Sequence, residues 1–443
     1  MSFAIKDWSR SMDTLSVVAP KLASALSLVL LNLYAIQWLE PASYGAFGLC
    51  LTFLVLFETI AGAALDIGVL REAPLLREPG VLGMSAPERS AVVLKLGMSA
   101  IMLCLAVLFG DAIAGLFFQQ SDAGGIPIAV VFAGAGILLA RSVQVSFQVS
   151  RRFYLFGAAD LTHTLLRMLF VCGAIAAGYT SVAFLLIAYG AAAFLAGCSF
   201  GAVLFKKALH QSWFDRAEIE KLGRYSGGVL AVGGISTLLA SVDVFLLAVL
   251  GTPSELGLYR AALTLALLPE LAGSCLSQFF GPYVAVYCRD RIFYRLFLNV
   301  QGGLLAASIL LLLAGVQFIR PMLELLFPEK YAASIDVIVL LLPAGLAGFV
   351  LFPLIVNFLA FYSLRSILIV DVALAPLLIA GCWYAATHGG LSQVAIVVSA
   401  VRVTKAIVLF LISARLARRM DAHQPGQPDE EVRVLAVASS EPA

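Results

Sequence analysis

The feature that most constrains this chain is a succession of long apolar segments that contain few charged residues. An α-helix needs about 20 mostly apolar residues to cross the hydrocarbon core of a bilayer. The segments are too long, and alternate too little, for the strands of a membrane β-barrel. They therefore predict an all-α integral membrane protein with about 12 transmembrane helices. The predicted spans are 15–39, 44–69, 91–118, 128–149, 158–178, 182–205, 223–250, 257–282, 294–318, 334–360, 365–386 and 391–415.

The composition agrees with a membrane protein. Hydrophobic residues make up 61% of the 443 residues and charged residues only 13%, which excludes a water-soluble globular protein. The net charge of +2 is small, but lysine and arginine are distributed unevenly between the loops. The loops of one predicted side contain neither residue: 40–43, 119–127, 179–181, 251–256 and 387–390. The exception on that side is 319–333, which contains Arg320 and Lys330. Because lysine and arginine mark cytoplasmic loops, both termini are predicted to be cytoplasmic.

An internal repeat indicates how the spans are arranged. The stretch Pro41–Glu58 returns 212 residues later as Pro253–Glu270, and the two copies share a proline, a glycine, a threonine and a glutamate at matching positions. With six spans in each half, the halves enter the membrane with the same polarity. We therefore expect two parallel six-helix bundles related by a pseudo-twofold axis along the membrane normal. The copies differ where Gly48 of the first aligns with Arg260 of the second.

The repeat and the charge pattern divide the chain into four parts. Residues 1–207 form the predicted N-terminal bundle with an interfacial N-terminal segment, and 208–222 form a cytoplasmic linker. Residues 223–418 form the C-terminal bundle, and 419–443 form a polar tail that is predicted to be disordered.

Three of the carboxylates inside predicted spans are candidates for a functional role: Glu58, Glu270 and Asp243. Ionisable residues are costly in a bilayer and usually face a bundle interior or a wet cavity. Glu58 and Glu270 lie at equivalent depths because they end the two copies of the repeat. Either they accept hydrogen bonds from neighbouring helices as structural residues, or they couple transport to protons.

Buried cations outnumber these acids, and six of them are candidate substrate-binding residues. They are Arg141, Arg167, Arg402, Arg260, Arg71 and Lys21. Arg141 has no acid in its own span, whereas Arg167 could pair with Asp160, and Lys21 and Arg71 could extend to lipid headgroups. A cavity with excess positive charge suits a phosphate or pyrophosphate headgroup, which needs charge-assisted hydrogen bonds once it is dehydrated.

Several kinds of chemistry have no motif in this sequence. It contains no P-loop, no cysteine or histidine spacing typical of a metal site, and no large outer loop that could hold a glycosyl-transfer domain. We therefore expect a transporter rather than an enzyme, with no cofactor, no metal and no nucleic-acid partner.

Four stretches together resemble the polysaccharide-transporter (O-antigen flippase-like) family of the multidrug/oligosaccharidyl-lipid/polysaccharide exporter superfamily. They are LEPASYGAFGLCLTFLVLFETIAGAALDIGVLRE (39–72), QVSRRFYLFGAADLTHTLLRMLF (148–170), VDVFLLAVLGTPSELGLYRAA (242–262) and IRPMLELLFPEKYAASIDVIVLLLPA (319–344). The resemblance implies two six-helix bundles that work by alternating access in the bacterial inner membrane. It implies that the substrate is an undecaprenyl-diphosphate-linked oligosaccharide, moved to the periplasmic leaflet for surface or exported polysaccharide. The cavity cations would hold the diphosphate, and polysaccharide polymerase or export machinery would be a partner.

Other functions remain open at this stage. A drug exporter of the same superfamily would be expected to bind cations through acids near the first and seventh spans; the first span here has none, and the seventh contains Asp243. A flippase for peptidoglycan precursors would be expected to have two further spans. A membrane glycan polymerase or ligase would not be expected to show the twofold repeat.

Overall fold

The computed structural model describes residues 8–73, 83–119, 125–208, 211–274, 276–277, 291–360 and 364–422. Within these ranges the chain consists of helices and short connections, without a β-strand. The helices of the first half are α1 (Trp8–Trp38), α2 (Pro41–Glu58), α3 (Ala64–Glu72), α4 (Ala86–Phe118), α5 (Gly125–Val149), α6 (Phe153–Ala176) and α7 (Val182–Ala208). Those of the second half are α8 (Arg216–Ala240), α9 (Val242–Leu250), α10 (Pro253–Ala266), α11 (Arg291–Leu326), α12 (Ala332–Ala360), α13 (Leu364–His388) and α14 (Gly390–Ala422).

The described part of the chain contains 10 helical segments that are long and apolar enough to cross a membrane, or 11 if the bent pair α8–α9 counts as one span. The predicted span 257–282 begins in α10, continues in a helical segment over 268–274, and ends outside the described residues. The predicted all-α, multi-pass fold is confirmed. The cytoplasmic placement of the termini stays a prediction.

The predicted domain boundaries stay a prediction. Helix α8 begins at Arg216, within the predicted linker 208–222, and α14 extends to Ala422. Residues 1–7 of the predicted interfacial segment and 423–443 of the predicted tail lie outside the described residues.

The two copies of the repeat form α2 and α10, and both helices start in the same way. Each has a proline in its first turn, where the missing backbone N–H costs nothing. In the second copy, Thr252 and Glu255 add a capping box, in which each side chain accepts a hydrogen bond from the other residue's backbone N–H. The sequence repeat is therefore also a structural repeat.

Helices α2 and α10 pack directly on each other, and their glycines make this possible. A Cβ atom on Gly45 would lie 2.6 Å from the backbone nitrogen of Gly257, and one on Gly257 would overlap the carbonyl of Pro41. Small residues let helix backbones approach closely in membranes. Because equivalent residues of the two copies touch each other, the pseudo-twofold axis passes through this crossing.

Each predicted carboxylate lies beside an interruption of its helix. Glu58 ends α2 and is followed by a π-helical turn, Thr59–Ala63. Glu270 follows the non-helical residue Leu267 at the end of α10. Asp243 lies in the first turn of α9, which is bent by 47° relative to α8. Interrupted helices free backbone groups at membrane depth and often mark functional sites.

Candidate functional site

In the N-terminal half, two of the candidate cations are bound to carboxylates on other helices. Arg141 on α5 donates from Nε to Oε1 of Glu58 at 2.8 Å. Lys21 on α1 donates from Nζ to Oδ1 of Asp160 on α6 at 3.0 Å. Asp160 thus takes Lys21 as its partner, and the pairing with Arg167 that the sequence allowed is not formed.

A third ion pair in this half is more deeply buried. The side chain of Lys95 on α4 is only 3% exposed; Nζ lies 2.5 Å from Oδ1 of Asp66 and 3.0 Å from Oγ of Ser142. Lys95 therefore does not extend to the membrane surface. It joins α3, α4 and α5 instead.

In the C-terminal half, two cations that bind carboxylates, Arg402 and Lys405, project from α14. Arg402 donates from Nη1 to Oε2 of Glu270 at 3.2 Å and from Nη2 to the carbonyl of Ala240, at the end of α8, at 3.3 Å. Lys405 lies 2.5 Å from Oδ1 of Asp371, whose other oxygen accepts a hydrogen bond of 2.6 Å from Ser236. The repeated glutamates Glu58 and Glu270 therefore each hold an arginine, supplied by α5 in one half and by α14 in the other.

These C-terminal charges line a cavity of about 400 Å³. Its wall contains the two cations Arg402 and Lys405 and three acids, and Val55 of α2 contributes from the N-terminal half. The acids are Asp243, Glu270 and Asp371. The excess of positive charge that the sequence suggested is therefore not a property of this cavity.

Asp243 differs from the other two acids of the cavity because no cation lies within ion-pair distance among the described residues. It is 2% exposed, and Oδ2 accepts a hydrogen bond of 2.6 Å from the hydroxyl of Tyr259. Its Oδ1 is buried without a hydrogen-bond partner in the described part of the chain. Burying a carboxyl oxygen without a hydrogen-bond partner costs free energy, so such a group is a candidate for a functional role.

Arg260 is the cation at the centre of the molecule. Its side chain lies against Gly48 at the α2–α10 crossing, where a Cβ on that glycine would be 2.7 Å from Nε. Nη1 donates to Oγ1 of Thr52 at 3.1 Å, and Nε is buried without a partner. Within the described ranges, Arg260 forms no ion pair. It is therefore a guanidinium with hydrogen-bonding capacity left over, on the axis between the halves.

The last two candidate cations lie away from this centre. Arg167 donates from Nη1 to the hydroxyl of Tyr189 at 2.6 Å and stacks on that ring at 4.8 Å. Arg71 is half exposed, lies over the ring of Tyr225 at 4.5 Å, and has Nε 3.7 Å from Glu72. The structure thus brings Lys21 and Arg141 into ion pairs in one half and Arg402 into one in the other, with Arg260 between them.

Two further pairs of polar residues lie at or near the spacing of the repeat. Ser24 and Ser236 are 212 residues apart, as in the first repeat, and Asp160 and Asp371 are 211 apart. Both aspartates form ion pairs with lysines, Lys21 and Lys405. The 212-residue spacing would have indicated the serines but not the aspartates, which are offset by 211 residues.

No metal site is formed by the described residues, since no group of three or more histidine, cysteine, aspartate or glutamate side chains could hold an ion. The candidate site consists of five interhelical ion pairs, one isolated aspartate and one central arginine. Such an arrangement can bind ionic groups or change with the relative position of the halves.

The fold matches known transporters over almost the whole chain. The lipid II flippase MurJ, in an inward closed conformation, aligns with a TM-score of 0.71 at 10% identity, over 91% of this chain and 87% of that one. The MATE transporter VcmN of Vibrio cholerae in its bent form aligns with a TM-score of 0.62 at 14% identity, over 94% and 98%. A MOP-superfamily transporter of Pyrococcus furiosus aligns with a TM-score of 0.62 at 12% identity, over 92% and 96%.

Sequence comparison identifies the family. No curated protein sequence matches the chain. The family model described as polysaccharide biosynthesis protein matches residues 13–277, which is more than half of the chain. This match confirms the resemblance seen in the sequence. The chain therefore belongs to the polysaccharide biosynthesis protein family, and its fold is that of the MOP-superfamily transporters.

Proposed function

We propose that this protein is a flippase that moves an undecaprenyl-diphosphate-linked oligosaccharide from the cytoplasmic to the periplasmic leaflet of a bacterial inner membrane. The glycan would serve surface or exported polysaccharide, and a polymerase or export complex would receive it. The proposal is supported by the family, by the fold shared with a lipid II flippase, and by the charges between the halves.

The observation that carries the proposal is Arg260. A guanidinium presents five N–H donors in a planar fork that fits phosphate oxygens. In this chain the described residues supply one hydrogen-bond acceptor, Thr52, and leave Nε buried without one. A dehydrated diphosphate on the axis between the halves would provide the missing acceptors and the countercharge. A cationic cargo would instead be repelled there.

The other candidate cations act around this centre in our proposal. Arg141 and Arg402 would contact the headgroup with the donors that Glu58 and Glu270 leave free, and Lys21 and Arg167 would add positive potential in the N-terminal half. Glu58 and Glu270 then hold the arginines in place. The two halves rock about the α2–α10 crossing and expose the site to each side in turn.

The test compares Arg260 with an arginine of the same charge at the surface. Arg320 is exposed and paired with Glu324 and Asp336. We expect Arg260→Met to abolish polysaccharide export when it replaces the natural protein at equal abundance, while Arg320→Met leaves export unchanged. Lipid-linked glycan should accumulate on the cytoplasmic face. Normal export by Arg260→Met would refute the role of Arg260 in binding the headgroup.

The side on which intermediates accumulate also separates the classes of function. Accumulation on the periplasmic face after deletion of the gene would indicate a polymerase or ligase. Unchanged lipid-linked glycan together with increased sensitivity to dyes or drugs would indicate an exporter.

A cation-coupled multidrug exporter is the second candidate, and the C-terminal cavity is the observation that favours it. Three acids against two cations line that cavity, and Asp243 has no cationic partner among the described residues. In this alternative, Asp243→Asn would remove drug resistance and leave polysaccharide unchanged. In the flippase proposal, the same variant impairs polysaccharide export if Asp243 couples transport to an ion gradient.

A further inference from the structure

The first part of the seventh span, α8, belongs to the C-terminal half by sequence, but its N-terminal part packs on α3 of the N-terminal half. Its buried residues are Leu222 and Ser226. Oγ of Ser226 donates to the carbonyl of Ala64 on α3 at 3.1 Å. A Cβ on Gly68 of α3 would lie 2.6 Å from Cδ1 of Leu222. Helix α8 is thus held against α3 by a narrow strip of close contacts.

Polar contacts extend this strip towards the end of the helices. Nζ of Lys221 lies 2.6 Å from Oε2 of Glu72, and the guanidinium of Arg71 lies over the ring of Tyr225. We call the whole set the α3–α8 latch; its members are Ala64, Gly68, Arg71 and Glu72 on α3 and Lys221, Leu222, Tyr225 and Ser226 on α8.

The other end of α8 contains a hinge. Helix α8 ends at Ala240, and α9 leaves it at an angle of 47° after Ser241. A break of this kind allows one half of a span to move as a unit, because the hydrogen bonds within each half are kept. Next to the hinge, the C-terminal cavity of about 400 Å³ is lined by Ser236, Thr237, Leu239, Ala240 and Ser241. Movement of α8 would therefore displace one wall of that cavity.

The opposite ends of the halves are joined far more tightly. There the backbones of α2 and α10 meet at Gly45 and Gly257. The hydroxyl of Tyr44 lies 3.3 Å from that of Thr264, and Tyr331 donates to the carbonyl of Leu39 at 3.2 Å. The latch in contrast depends on one small buried patch and on an exposed ion pair, which contributes little to stability.

We propose that α8 is the gate of the C-terminal cavity and that the α3–α8 latch holds this gate closed. Release of the latch swings α8 about Ser241 and opens the cavity on the side of the 208–222 linker, while the α2–α10 crossing stays shut. Arg71 is then a gate residue, whose guanidinium is covered by Tyr225 in the closed position. This gate depends on the geometry of α8 and not on which substrate the protein carries.

The test measures access to the cavity without any substrate. Leu239→Cys places a thiol in the cavity wall. The full chain is reconstituted in lipid nanodiscs, where both faces are accessible. The rate at which a charged maleimide labels it is measured, and the rate for the chain without this added cysteine is subtracted as background. Lys221→Glu and Glu72→Lys should each accelerate labelling about two- to fivefold, the effect of losing a surface ion pair. The double variant, which restores an ion pair, should return the rate to its original value.

Two controls make the result specific. Lys206→Glu changes an exposed charge at the end of α7 and should leave the labelling rate unchanged. Gly68→Leu should accelerate labelling without a change in charge, whereas Gly223→Leu should not, because a Cβ at Gly223 meets nothing within 4 Å. The gate is refuted if the single charge variants and Gly68→Leu label at the original rate, or if the double variant labels as fast as the singles. Either result would leave the flippase proposal intact.

Discussion

Gly48 and Arg260 occupy the same position in the two copies of the repeat, and in the folded chain their side-chain positions are in contact. Equivalent residues can meet only where the pseudo-twofold axis passes between them. The arginine of one copy therefore fills the space that the glycine of the other leaves empty. A second arginine in place of Gly48 would have no room and would add an unpaired charge. The asymmetry is thus required at this point on the axis, and it places a single cation between the halves.

The crossing predicts a strong effect of the smallest substitution. A methyl group on Gly257 would overlap the carbonyl of Pro41 on the facing helix. We expect Gly257→Ala to lower the free energy of unfolding by about 1–3 kcal/mol, as overpacking does. The matched control is Gly227→Ala in α8, where a Cβ meets nothing within 4 Å and the change should be neutral or stabilising by about 0.5–1 kcal/mol. Thermal unfolding of the purified proteins tests this, and an unchanged Tm for Gly257→Ala would contradict it.

The pair formed by Glu270 and Arg402 predicts a difference between stability and transport. Removing one partner leaves a charge without its counterion, so Glu270→Gln or Arg402→Met should each destabilise the protein by about 1–3 kcal/mol. The double variant should recover most of the stability, because neither charge remains. If Arg402 contacts the headgroup, transport should stay low in the double variant. Thermal unfolding and polysaccharide export are measured on the same variants. Full transport by the double variant would show that Arg402 does not contact the headgroup.

The buried pair of Lys95 and Asp66 should be the most sensitive ion pair to a single change. Lys95→Met leaves the largely buried Asp66 carboxylate without its countercharge, and the free energy of unfolding should fall by about 3–5 kcal/mol. Adding Asp66→Asn to Lys95→Met should recover much of the lost stability. Arg320→Ala, in an exposed pair, should cost about 0–1 kcal/mol. Equal effects of Lys95→Met and Arg320→Ala on Tm would show that the depth of burial does not decide the outcome.

The orientation of the chain can be tested directly. The loop charges predict that a fluorescent protein fused after Arg415 is fluorescent in the cytoplasm and that alkaline phosphatase fused there is inactive. Fusions within 179–181 should show the opposite behaviour. The exception in 319–333 has a local reason, because Arg320 is paired with Glu324 and Asp336, and Lys330 lies 3.4 Å from Glu40. Active phosphatase after Arg415 would reverse the predicted topology.

Much of the fold was readable because its signals are local or periodic. The apolar segments predict the spans, the loop charges predict their orientation, and the 212-residue repeat predicts two related halves. None of these predictions needs knowledge of a contact. The predicted span 223–250 did not show the 47° bend at Ser241. No proline occurs there, and the sequence around Ser241 reads as one continuous apolar helix. The π-helical turn after Glu58 was hidden for the same reason.

The sequence by itself determined that Glu58 and Glu270 are equivalent, because repetition follows from position along the chain. It could not determine their partners. Asp160 is bound to Lys21 rather than to Arg167, and the two glutamates take arginines from helices that are not equivalent. Only the tertiary structure decided this, because an ion pair depends on which faces of two distant helices meet. The close approach of α2 and α10 decided in the same way that Arg260 lies on the axis between the halves.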